Sequence, residues 1–158
     1  MNRISIEHVR LTLDRPFDAF RTAFEGQLGR FDPIAYEALE HGDPKAARSK
    51  LESMTGPSGF MLFRTSDHGA VLRLVGEPRK AIQYLLGNPL IAVEMTRHAI
   101  GAALYAPLRV LLYEDGEGKT CVEYDLPSSL FGQFGNEEVD RVAESLDRKL
   151  EALIAAAG

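Results

Sequence analysis

His98 and Arg109 are the two side chains of the sequence best suited in type and spacing to acid–base and anion-binding chemistry. His98 closes the apolar segment "LLGNPLIAVEMTRH" at 85–98, and Arg109 follows eleven positions later. An imidazole that titrates near neutrality serves as acid or base, and a guanidinium holds a carboxylate or phosphate. Between them runs "AIGAALYAP", small and apolar and ending near Tyr105, so an imidazole turned that way would enter a pocket. Tyr113 and Phe131 complete the candidate lining. The simpler reading competes directly: a cation at the end of a helix meets the partial negative charge of the last carbonyls, and this alone accounts for His98.

Other local patterns fail on their chemistry. "GEGKT" at 116–120 has the tail of a phosphate-binding loop, but Tyr113 occupies the position of the required earlier glycine, and the segment joins two strands rather than a strand and a helix. Glu114, Asp115 and Glu117 lack the ordered alternation of a calcium loop, so they read as a solvated acidic turn. Ser58 in "GPSG" is followed by Phe60 where a nucleophile elbow needs glycine. The single cysteine, Cys121, sits in a strand near Glu123 and Asp125, carboxylates that would raise a thiol pKa, and it reads as a packed apolar residue. His8, His41 and His68 show no zinc spacing with His98, so neither a metal nor a cofactor is expected.

The elements that must carry these residues are read from periodicity. Residues 4–14 alternate imperfectly as a strand; Pro16 then starts a helix with Phe17, Phe20, Phe24 and Leu28 on one side. Asp32-Pro33 and Asp43-Pro44 open two short helices within a helical insertion at 32–55. "GFMLFRTSDHGAVLRLVG" reads as a hairpin turning at "SDHG", followed by a strand at 80–86. Asn88-Pro89 caps and starts the helix that ends at His98. Strands at 108–114 and 120–126 form a second hairpin, and a helix at about 136–156 closes the chain behind the cap Asn136. Phe131 and Phe134 in the glycine-flanked "LFGQFG" read as anchors for that helix in preference to a lid.

The second hairpin fixes a register. With Gly118 left-handed in a three-residue loop, Asp115 faces Lys119, Leu112 faces Val122 and Val110 faces Tyr124, which with Leu108 and Leu126 gives one apolar face. The reverse face pairs Arg109 with Asp125, Leu111 with Glu123 and Tyr113 with Cys121. Such a half-polar face must meet solvent, a ligand or another subunit. The expected fold is α+β: an antiparallel sheet of five to six strands, helices mainly on one face, in the order β-α-(αα)-βββ-α-ββ-α.

With 158 residues and 45% apolar side chains, the chain reads as one domain over 1–158 with a real core. Its longest nearly apolar run, 81–93, falls short of the roughly 20 residues that span a bilayer. Arg3, Glu7, His8 and Arg10 interrupt any secretory signal, and the expectation is a cytoplasmic protein with no membrane partner. Residues 1–80 hold 12 basic and 11 acidic side chains, and residues 81–158 hold 6 and 12. No basic stripe is present, so nucleic acid is not expected as a partner.

The string "GNPLIAVEMTRH…LYAPLRVLLYEDGEGKTCVEYDLPSS" resembles the bacterial and archaeal family called domain of unknown function 302, with an Asn-Pro-led helix, a proline before a strand, and a hairpin ending at proline. The likeness covers about residues 17–128, and Asn88, Pro89, Pro107, Arg109, Tyr113, Glu114, Tyr124 and Pro127 fall at the family's positions. It implies a compact α+β domain, an antiparallel sheet backed by helices, and a homodimer; it supplies no reaction. The segment at 32–55 and "LFGQFG" depart from the compact pattern. The leading expectation is a dimeric small-ligand-binding or interaction module, lined by His98, Tyr105, Arg109, Tyr113 and Phe131. Its rivals are an enzyme using His98 as acid or base and a purely structural assembly protein.

Overall fold

Six strands form one sheet in the computed structural model, which describes residues 3–158. They are β1 (His8–Leu13), β2 (Gly29–Arg30), β3 (Met61–Asp67), β4 (Ala81–Gly87), β5 (Leu108–Glu114) and β6 (Thr120–Asp125), in the spatial order β1-β6-β5-β4-β3-β2. Every neighbouring pair is antiparallel except β2 with β3. The α+β class and the helix-backed, mostly antiparallel sheet agree with the sequence reading. The β5–β6 register is the expected one: Val110 lies opposite Tyr124, Leu112 opposite Val122, and Tyr113 opposite Cys121. Gly118 has φ of 78°, and the Asp115 carboxylate accepts from the backbone N–H groups of Glu117 and Lys119, both at 2.9 Å, which locks the turn.

One face of the sheet is the core face. Ile82, Tyr84 and Leu86 of β4, Val110 and Leu112 of β5, and Val122 and Tyr124 of β6 are buried there. Against them pack helix α1 (Phe17–Gly26), through Phe17, Phe20 and Phe24, and the closing helix α7 (Glu137–Ala157), through a stripe including Val139, Ala143, Leu146, Leu150 and Leu153. Asn136 begins α7 by accepting from Glu138 N–H at 3.0 Å and Val139 N–H at 3.2 Å. Phe24 meets Tyr84 edge-on at 5.2 Å, and the Tyr84 hydroxyl donates to Glu25 at 2.8 Å, so the one polar atom of that buried ring is satisfied.

The segment at 32–55 is helical as its caps imply. After a 3₁₀ turn (Pro33–Tyr36) come α2 (Glu37–Glu40) and α3 (Pro44–Met54), and the Asp32 and Asp43 carboxylates accept from Ile34 N–H and Ala46 N–H, each at 2.9 Å. Ala35, Leu51 and Met61 form a second small core beneath it.

Three local expectations are corrected. The second arm of the "SDHG" hairpin is not a strand: residues 68–75 form helix α4 (His68–Val71) and a 3₁₀ turn (Leu72–Val75), and β4 takes the place beside β3. The Asp67 carboxylate accepts from Ala70 N–H at 2.8 Å and starts a helical turn, while buried Gly69 lies so close to Arg79 that a Cβ there would sit 2.0 Å from the Arg79 carbonyl oxygen. The strand expected from residue 4 begins at His8, leaving Ile4 and Ile6 exposed. The two-residue β2 was not expected, because a parallel pairing so short leaves no local periodicity.

Candidate functional site

The reverse face of the sheet carries an ordered polar array. Antiparallel pairing of β1 with β6 sets His8 opposite Asp125 and Arg10 opposite Glu123. The His8 ring then spans two carboxylates, Nδ1 at 2.9 Å from Asp125 and Nε2 at 2.8 Å from Glu123. Arg10 Nε donates to the other Glu123 oxygen at 2.6 Å, and the Tyr113 hydroxyl donates to that oxygen at 2.5 Å. Hydrogen bonds to Asp125 and Glu123 raise the His8 pKa above its ordinary value. Burial pushes Glu123 up, but donation from Tyr113, His8 and Arg10 outweighs it and holds the carboxyl at about 2. The Tyr113 phenol is raised by its bond to Glu123.

Around this array the face is open. Gln83, Leu111 and Glu123 border two grooves: one of about 200 Å³ reaching His8, Arg109 and Asp125, and one of about 390 Å³ reaching His68, Leu72 and Lys80. Gln83 and Arg109 make no side-chain hydrogen bond among the described residues. Beside the larger groove, the turn at 71–75 exposes Val71, Leu74 and Val75 by 58%, 86% and 70%. Isolated apolar residues on a surface are ordinary, but three within five positions form a patch.

The five residues expected to share a cleft are divided among different places. Arg109 and Tyr113 lie on the open face. His98 follows helix α5 (Pro89–Thr96); it is exposed and makes no side-chain hydrogen bond among the described residues, so the contacts that an acid–base role needs are not assembled around it. Phe131, in α6 (Pro127–Phe131), is fully buried and meets Tyr105 edge-on at 6.1 Å, as an anchor does. Tyr105 and Arg109 share a crevice with Leu108, Asp125 and Leu130, but its volume is about 10 Å³, room for no more than a single water. Cys121 is buried beside Thr12, with its Sγ 3.9 Å from the Thr12 hydroxyl. Among the described residues no group of three or more His, Cys, Asp or Glu side chains is placed to hold a metal ion, and no helix is long and apolar enough to cross a membrane.

Sequence reasoning placed Glu123 on the reverse face with Arg109, Tyr113 and Asp125, and missed His8, Arg10 and Gln83 as members of the same surface. The signal was the alternation in the first strand and in the sixth; what it lacked was the pairing of two segments more than 100 positions apart.

A mostly antiparallel six-stranded sheet, helices mainly on one face and a polar array on the other, defines the class as an α+β protein with a largely open sheet face. Within that class the chain belongs to the family described as "Domain of unknown function DUF302", whose profile matches residues 36–157. The match thus includes the closing helix, beyond the stretch that carries the sequence resemblance. Among solved structures, the crystal structure of an uncharacterized conserved protein DUF302 from Bacillus stearothermophilus aligns with a TM-score of 0.67 over 96% of this chain and 98% of that one, at 14% identity. That likeness establishes a shared fold. Comparison with curated proteins gives no match.

Proposed function

We propose that the protein is a dimeric binding module in which the open sheet face recognises a second copy of the chain. The observation that carries this reading is the apolar turn Val71, Leu74 and Val75 standing beside an uncovered sheet face. At the centre of the face Leu111 is half-buried, with the Tyr113 ring nearby; around it stand Arg10 and Arg109 with Glu123 and Asp125. A twofold axis brings the same patch to both partners, so a surface holding both signs of charge at its rim and an apolar centre complements itself. Covering Leu111 and the turn removes apolar area from water, which favours association.

In this reading Arg109 and Tyr113 belong to the recognition surface, and His98 and Phe131 do not. Small-angle scattering of the full chain tests it: the wild type scatters as a dimer, and Leu74→Glu, at a position with no core contact, scatters as a folded monomer. A wild-type monomer, or a Leu74→Glu protein that stays a dimer of the same shape, contradicts the proposal.

A further inference from the structure

On the helix-covered side of the sheet, away from the face assigned to the second copy, lies a cavity of about 230 Å³ between α5, the start of β5 and α6. Met95, Phe131 and Leu146 contribute buried walls, Ile91 and Pro107 add to them, and Val93 stands at 43% exposure on the helix. No Lys, Arg, His, Asp or Glu lines it. The one amide that reaches it, Asn88, is spent: its oxygen accepts from Leu90 N–H at 2.9 Å, and its nitrogen donates to the Gly59 carbonyl at 3.0 Å and the Thr55 hydroxyl at 3.4 Å. The hydroxyls of Thr96 and Tyr36 make no side-chain hydrogen bond among the described residues, and burial raises the Tyr36 phenol pKa, keeping it neutral.

Helix α5 gives an independent reason to expect an occupant. Its sequence, PLIAVEMT, is apolar on nearly every side, the character of a helix enclosed by protein. Yet only Met95 of its eight residues is buried, and Leu90, Ile91, Ala92 and Val93 are half-buried or exposed. Part of the surface left uncovered lines the cavity.

From these observations we infer that the cavity is a binding site for a small neutral molecule of one or two fused rings, carrying one hydroxyl or ring N–H for Thr96 or Tyr36. The size follows from volume: an apolar cavity of about 150 Å³ holds benzene, and drug-sized ligands fill roughly 300–1,000 Å³. Neutrality follows from the lining, because a buried charge without a partner carries a large desolvation cost. The site stands whether or not the chain dimerises.

The test uses the full chain with 2-naphthol as probe and 2-naphthoate as its charged counterpart. Titration followed by methyl NMR is expected to show saturable binding of 2-naphthol, at least tenfold tighter than 2-naphthoate, with shifts centred on Met95, Ile91 and Val93. Ala92→Phe, which fills the cavity from the helix, abolishes the binding. Thr96→Val keeps the fold and weakens 2-naphthol more than naphthalene. Absence of saturable 2-naphthol binding to the wild type, equal affinity for 2-naphthoate, or shifts centred elsewhere overturns the proposal. A folded Ala92→Phe protein that binds unchanged also overturns it; should that variant not fold, the wild-type comparison and the shift map decide.

Discussion

Val122 and Glu123 are neighbours on β6, yet one is fully buried in the core and the other is held on the open face by three donors. Strand alternation separates them, and it divides packing from recognition along β5 and β6 except at Cys121, which is buried on the reverse face beside Thr12. On the core face the Tyr84 hydroxyl is satisfied by its bond to Glu25, whereas the buried Thr120 hydroxyl finds no partner among the described residues. The reverse face keeps charges in water and orders them by cross-strand bonds. Substitutions on the first face therefore act on folding, and those on the second act on association and proton binding.

The most severe way to probe this division is Phe131→Ala, which empties a fully buried ring position and is expected to cost about 3–5 kcal/mol in urea unfolding. On the other face Glu123→Gln is expected to cost only about 1 kcal/mol, since its partners His8 and Arg10 are solvent-exposed. The same substitution lowers the His8 pKa, read from its imidazole NMR signals, because one of the two carboxylates that raise it is gone. Gly118→Ala sharpens the comparison at the hairpin that joins β5 to β6: a φ of 78° disfavours a side chain, for a loss of about 1 kcal/mol.

The smallest effect is that of pH. The folded His8 pKa is raised above 6.5, so its contribution is complete below 6.5 and is lost as pH rises through the folded value. Glu123 has the opposite sign: its folded pKa is depressed from 4.5 to about 2, so its contribution is present above 4.5 and is lost as pH falls toward 2. Tethering of β1 to β6 is therefore expected to be firmest between about 4.5 and 6.5 and slightly looser above, measured as faster amide exchange in β1 at pH 8 than at pH 6 after correction for the intrinsic rate.

What the sequence disclosed was local. Asp32, Asp43, Asn88 and Asn136 each accept a backbone N–H in the first turn of the helix they precede, because a short polar side chain before an apolar run has one economical use. The β5–β6 register was legible because a one-residue slip would mix the apolar and polar sets. The turn at 68–75 misled, since Val71, Leu74 and Val75 carry strand-like composition while the Asp67 cap and the close approach of Gly69 to Arg79 direct the backbone into helical turns. The polar array required the pairing of β1 with β6, and the cavity required α5 to meet the start of β5; neither contact leaves a mark within a local window. His98 was the conspicuous residue by type, and exposure leaves it outside both sites.

Sedimentation equilibrium of the wild type beside Leu111→Arg addresses the open face at its centre. Twice the chain mass for the wild type and the single-chain mass for a folded Leu111→Arg protein is the predicted pair of results. One chain mass for both proteins, or two for both, contradicts the assignment of this face to a second copy.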